Sequence, residues 1–267
     1  MKPTKKELGQ IYRQRTLELL ARLGYATTRQ IARGVFGSCS ISKRKMIGRT
    51  LIWLIEARFV VTKRLGESLF CRNNEAIYAL TEAGAAAARG LGAEMVANKA
   101  HGRDYLRHEH AHRTMCNSVF CALEGAAFSE LEVRANEAPL TFVEVDSSDF
   151  GVFKKIPDLI AKTSDKTKLI WVEVENAYRS SKDLEKMLVA MRVMYQNREK
   201  FQLSHVLFVV TNDGATNIGS RLRERLLHER ETGASVLLKR LDKEILGGFV
   251  RVATLDHEHM VLRAVAL

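Results

Sequence analysis

Apolar and polar positions repeat along this chain with two different periods, and the change of period divides it. Near the start the period is helical. Between Tyr12 and Leu23, "YRQRTLELLARL" sets Leu17, Leu20 and Leu23 on one face, and Gly24 stops the helix. In "ATTRQIARGVFG" the threonines suit an N-cap, and Ile31 and Val35 turn inward on a second, short helix. "SISKRKMIGRTLIWLIEARFV" opens on serines, carries Lys43, Arg44, Lys45 and Arg49, and then becomes apolar, which reads as a third helix. "VVTKRL" and "AIYALTEAG" read as two strands around the polar turn "GESLFCRNNE".

The order helix, helix, basic helix, hairpin predicts a winged helix-turn-helix over residues 1–92. A basic first turn on an otherwise apolar helix is what a recognition helix needs: its start meets phosphates and base edges, and its far end packs in the core. The expected DNA contacts are Ser42, Lys43, Arg44, Lys45 and Arg49 on that helix, with Lys63, Arg64 and Arg72 from the hairpin. The closing "YALTEAG" resembles the Y-x-L-T-x-x-G ending of many bacterial winged-helix regulators.

Residues 93–128 predict a connecting helix, with Leu106, Met115, Val119 and Leu123 at helical spacing. His108 and His112 stand four apart, the interval of a helix-borne metal pair, while His110 breaks it; core or surface histidines are the simpler account. From 129 to 267 the period shortens. "LEVRANEAPLTF", "IPDLIAKT" and "KLIWVEVEN" read as strands, and "FVEVDSSDF" as a polar loop. "DLEKMLVAMRVMYQN" reads as a helix with Leu184, Leu188, Met191 and Tyr195 on one side. "SHVLFVVTN" has the profile of a central strand; "GSRLRERLLHER" reads as a basic helix, and "ASVLLKRL" and "GFVRVATL" as further strands. The whole predicts an α/β (α+β) chain whose second part is a mixed sheet with flanking helices.

Charge sharpens this picture. The net charge is +11 and the sequence pI about 9.6, an excess that fits a polyanion partner. No apolar run approaches the ~18 residues of a membrane span, and Met1 is followed by no signal-peptide pattern. Cys39, Cys71, Cys116 and Cys121 lack CxxC spacing and read as free thiols of a cytoplasmic bacterial protein.

Against that basic background, Glu173 and Glu175 stand two apart inside an apolar strand, so they share a face, with Val172 and Val174 on the other. Like charges held together repel unless a cation lies between them, and Mg²⁺ or Mn²⁺ accepts such hard oxygen ligands. Asp158 after Pro157 is the third carboxylate; Glu144, Asp146 and Asp149 are spare donors. Asp158 also suits a turn, and the glutamates also suit the wet face of an edge strand.

Pro157-Asp158, fourteen intervening residues and Glu173-Val174-Glu175 resemble the PD-(D/E)XK nuclease pattern. The resemblance implies a restriction-endonuclease-like core with Asp158, Glu173 and Glu175 on metal. It also implies a catalytic lysine where this chain has Glu175; Lys186, or less directly Lys182, is the expected substitute. With the N-terminal part, the His-bearing segment, "PDLI", "VEVEN", Lys186 and Tyr195, the chain is similar to the replication-relaxation family of plasmids and integrative elements. That family includes relaxases of mobilisable plasmids. The likeness implies a sequence-specific DNA-binding protein that nicks DNA with a metal ion for mobilisation or replication. A catalytically inactive regulator, using the core for dimerisation or docking, stays open beside it, as does an accessory factor of transposition or defence. The partners expected are double-stranded DNA and no membrane; a homodimer and other relaxosome or replication proteins are left open.

Overall fold

The structure is a computed structural model; it describes residues 3–64, 75–93, 111–123, 126–175, 181–211 and 245–265. The chain is mixed α/β and divides into two compact units. The first comprises residues 1–125, 129–137 and 258–260; the second holds 126–128, 138–257 and 261–267.

In the first unit the order is α1 (Lys5–Leu23), β1 (Tyr25–Thr27), α2 (Thr28–Phe36), α3 (Ile41–Glu56), β2 (Val60–Arg64), β3 (Ala76–Leu80) and α4 (Glu82–Gly90). The strands form an antiparallel sheet, β1-β3-β2. Leu17, Leu20 and Leu23 are buried, as are Ile31 and Val35. The short β1 carries no period of its own and comes directly after the turn at Gly24, whose φ is +76°. Arg72 and Cys71 lie outside the described residues, as do His108 and His110.

Thr81 starts α4 and explains the "YALTEAG" ending. Its hydroxyl accepts from Gly84 N at 3.0 Å and donates to Arg58 O at 2.6 Å, and its N–H donates to Phe59 O at 2.9 Å. One residue thus caps a helix and ties it to the junction between α3 and β2.

The helix α5 (Ala111–Ala122) is seated on β1 and α2 by buried polar groups. Gln30 closes the α2 capping box with Thr27, and its Nε2 donates to Thr114 O at 2.8 Å and to Ser118 Oγ at 2.9 Å. Asn117 Nδ2 donates to Tyr25 O at 2.8 Å. Cys39, Cys116 and Cys121 are buried thiols, and burial pushes that of Cys121 up to about 12.

The strand expected over "LEVRANEAPLTF" is not formed. Glu130–Arg134 is instead a helix, α6, and residues 135–142 make turns and bends without a regular element. Local capping overrides the branched residues: Ser129 Oγ accepts from Glu132 N while Glu132 Oε2 accepts from Ser129 N at 2.6 Å, and Arg22 grips the same carboxylate at 2.7 and 3.0 Å.

Among the described residues, the main sheet of the second unit has six strands: β4 (Ala127–Phe128), β7 (Leu159–Lys162), β8 (Leu169–Glu175), β9 (Leu203–Thr211), β10 (Val250–Asp256) and β11 (Val261–Val265). They form one sheet in the order β11-β10-β9-β8-β7-β4. β8, β9 and β10 run parallel; β4–β7, β7–β8 and β10–β11 are antiparallel. The parallel β8–β9 step is joined through α7 (Ser181–Gln196), a βαβ crossover. The inward stripe of α7 is Met187, Ala190, Met191 and Met194; Leu188 and Tyr195 are half-buried, one step off the expected side. Tyr195 packs edge-on against Phe249, with ring centroids 5.4 Å apart. The segments read as a basic helix at 219–230 and a strand at 234–241 lie outside the described residues.

The polar loop expected over "FVEVDSSDF" belongs to a two-stranded ribbon, β5 (Val143–Ser147) with β6 (Gly151–Lys155). Val143 and Val145 are buried while Glu144 and Asp146 are exposed, the alternation of a strand with one covered face.

His205 on β9 is 6% exposed, and burial, helped by Arg251, lowers it to about 4. Its folded value lies below the unfolded value of roughly 6.5, so between those limits the unfolded chain binds more protons and stability falls with falling pH. Denaturant unfolding at pH 7 and pH 4.5 should show His205→Gln losing about 2 kcal/mol less than the native chain over that interval. An equal loss in both would mean that His205 is not the group responsible.

Candidate functional site

β8 lies between β7 and β9, so its glutamates are interior and not on an edge. Trp171, Glu173 and Glu175 share one face; they are 0%, 0% and 3% exposed. A buried carboxylate needs partners, and Glu173 has them on both oxygens. Trp171 Nε1 donates to Oε1 at 2.7 Å, and Lys155 Nζ donates to Oε2 at 2.8 Å. The lysine arrives from the ribbon: Lys155 pairs with Val143 across β5–β6 on the covered face, and its side chain is 21% exposed.

Asp158 is half-buried just before β7. Its backbone N donates to Val172 O at 3.1 Å, and its Oδ2 accepts from Val174 N at 2.8 Å. The carboxylate is therefore pinned to the peptide that joins Glu173 to Val174. Among the described residues, no three carboxylates bring ligand oxygens within 4.8 Å of one another. The structure holds Asp158 against β8 and Glu173 against Lys155, and does not gather Asp158, Glu173 and Glu175 into one ligand set.

Lys186 is half-buried on α7, with Nζ 5.8 Å from the Phe153 ring centroid and 5.9 Å from that of Phe150, so its ammonium rests on the aromatic surface of the ribbon. The side chain of Lys182 lies outside the described residues. Glu144, Asp146 and Asp149 are exposed on the ribbon and its tip. Lys155 is the residue that sequence reading missed. Only "VEVDS" alternates with period two, ahead of a turn ending at Gly151, whose φ is +65°; "GVFKK" carries no such pattern to mark Lys155.

In the first unit, Ser42, Lys45 and Arg49 are exposed on α3, while Lys43 and Arg44 are half-buried; Lys43 Nζ stands 4.7 Å over the Phe36 ring. The opposite face of α3 buries Ile47, Thr50, Leu51 and Leu54. Lys63 and Arg64 are exposed along β2.

Residues 17–203 match the family described as replication-relaxation, well over half of the chain. The chain belongs to the replication-relaxation family. Membership ties it to replication and to mobile elements, the setting that the motifs suggested. A search of curated proteins and a search of solved structures each returned no match. The family match spans β8 with its glutamates, the Lys155 ribbon and α3. Among the described residues, no helix of this replication-relaxation protein is long and apolar enough to cross a membrane.

Proposed function

We propose that the protein binds duplex DNA through a winged helix in its first unit and nicks one strand in its second, serving mobilisation or replication of a mobile element. The binding half is supported by α3, which buries one face and presents Ser42, Lys45 and Arg49 on the other, next to the exposed Lys63 and Arg64 of β2. Cations at a helix start and on an adjacent strand suit phosphates on either side of a groove.

The cutting half is carried by one observation: an interior face bearing Glu173 and Glu175, with the Asp158 carboxylate hydrogen-bonded to the peptide between them. Mg²⁺ ordinarily takes one or two carboxylates and keeps several waters. In this reading Asp158 and Glu173 would be those two; among the described residues no cage of three carboxylates is assembled. When bound there, the ion would supply an activated water and a Lewis acid for the phosphate. The chain's own part is to orient. Trp171 fixes the rotation of the Glu173 carboxyl, and the Val174 N–H fixes that of Asp158.

The binding half is tested by gel shift and anisotropy on DNA flanking this gene. The double variant Lys45→Ala/Arg49→Ala is expected to weaken binding and to lower the slope of log Kd against log[salt] by about 1 for each phosphate-binding cation removed. An unchanged slope would reassign α3. The cutting half is tested on supercoiled plasmid carrying the same DNA. Conversion to open circle in Mg²⁺ or Mn²⁺, absent in Asp158→Asn, supports it. Tight binding without nicking supports the inactive regulator.

A further inference from the structure

Glu175 occupies the position where the nuclease pattern carries its lysine, and that gap is the main sequence argument against catalysis. Two lysines are candidates for that role. Lys186 rests on the Phe150 and Phe153 rings. Lys155 lies 2.8 Å from Glu173 Oε2. The pair is asymmetric, for Glu173 is 0% exposed and Lys155 21%. The lysine side chain is partly open to solvent while the acid is not. As a purely stabilising device, such a pair gains little over a well-packed apolar one.

We infer that Lys155 is the lysine of this site, delivered by the ribbon in place of residue 175, and that it contacts the scissile phosphate. The inference rests on the nicking reading. In a hydrolytic cut, a water oxygen bonds to phosphorus and the bond from phosphorus to the leaving sugar oxygen breaks. One water proton passes to that sugar oxygen; the other goes to solvent as the new phosphate monoester ionises. Negative charge builds on the non-bridging oxygens during the step. An ammonium held by Glu173 reaches them without reorganisation, as an electrostatic stabiliser should.

The full chain is tested in two ways. In plasmid nicking, Lys155→Gln is expected to lower kcat by about 100-fold while DNA affinity stays within about threefold, because phosphate contacts on α3 dominate binding. Lys155→Arg, which keeps the charge and guards against misfolding, should recover part of the rate. The reverse pattern, with nicking kept in Lys155→Gln and lost in Lys186→Gln, returns the role to Lys186 and overturns the inference.

The second readout needs no DNA. The chain has only Trp53 and Trp171, so in a Trp53→Phe background Mn²⁺ quenching of Trp171 emission reports on the Glu173 carboxylate. Lys155→Gln should tighten Mn²⁺ binding about tenfold or more, since the competing ammonium is gone. Equal Mn²⁺ affinity in both chains overturns the inference. If the native chain fails to nick but Lys155→Gln binds Mn²⁺ more tightly, the cutting reading falls and takes the phosphate contact with it, while the pairing of Lys155 with Glu173 stands. If the native chain nicks and Lys155→Gln nicks as well, the cutting reading stands and Lys155 falls.

Discussion

Lys155→Met is expected to destabilise the second unit by about 3–5 kcal/mol, the range for removing one partner of a buried ion pair. The reason lies in the burial of the acid. Glu173 is wholly enclosed, and the Lys155 ammonium stands 2.8 Å from it. Lys155→Met leaves hydrocarbon where that charge stood, against an enclosed carboxylate. The double variant Lys155→Met/Glu173→Leu removes both charges. It should recover most of the loss, because the cost of the single change is an uncompensated charge and not a missing attraction. Urea unfolding of the four chains in a double-mutant cycle measures the coupling. If Lys155→Met unfolds within about 0.5 kcal/mol of the native chain, as a typical surface change does, the ion pair has no hold on the fold.

That pair also marks the limit of sequence reading at the site. The shared buried face of Glu173 and Glu175 was legible because period two assigns faces, and because carboxylates inside an apolar run are costly enough to stand out; Asp158 stood out only through its place after Pro157. Lys155 was not legible: its partner is eighteen positions away, and the ribbon that carries it read as a polar loop. The exposed Glu144, Asp146 and Ser148 dominate that segment's composition, whereas Val143, Val145, Phe153 and Lys155 decide where it packs. Lys186 shows the converse. Sequence position put it near the acids, but two phenylalanines nearby offered its ammonium another seat. The first unit was easier, since its helices carry long apolar stripes and its caps are local. Where local chemistry was overlooked, at Ser129 and Glu132, a capping box turned an expected strand into a helix.

Gly84→Ala is expected to destabilise the first unit by about 3 kcal/mol, the upper end for overpacking. A Cβ built at Gly84 would stand 1.9 Å from Phe59 O and 2.8 Å from Phe59 C. Both are backbone atoms, so no side chain can swing aside; α4 itself must lift or the chain at Phe59 must move. Either displacement strains the Thr81 bonds to Arg58 O and Phe59 O that fasten α4 to the end of α3. Arg58 already has a φ of +60°, a conformation with little room to adjust. Ordinary helix propensity argues the opposite, since alanine in a helix is favoured over glycine by about 1 kcal/mol. The sign of the measured change therefore decides between propensity and close approach. Thermal and urea unfolding of Gly84→Ala beside Glu82→Ala, an exposed neighbour on the same helix, separates the two. A Gly84→Ala chain as stable as the native one, or more so, would mean that α4 does not approach Phe59 this closely. On the proposed DNA-binding reading the loss should reach function as well, because Phe59 joins α3 to β2, the two elements that carry Arg49 and Lys63. DNA binding should then fall with the folded fraction at 37 °C and recover on cooling, whereas removing a phosphate-binding cation weakens binding at both temperatures.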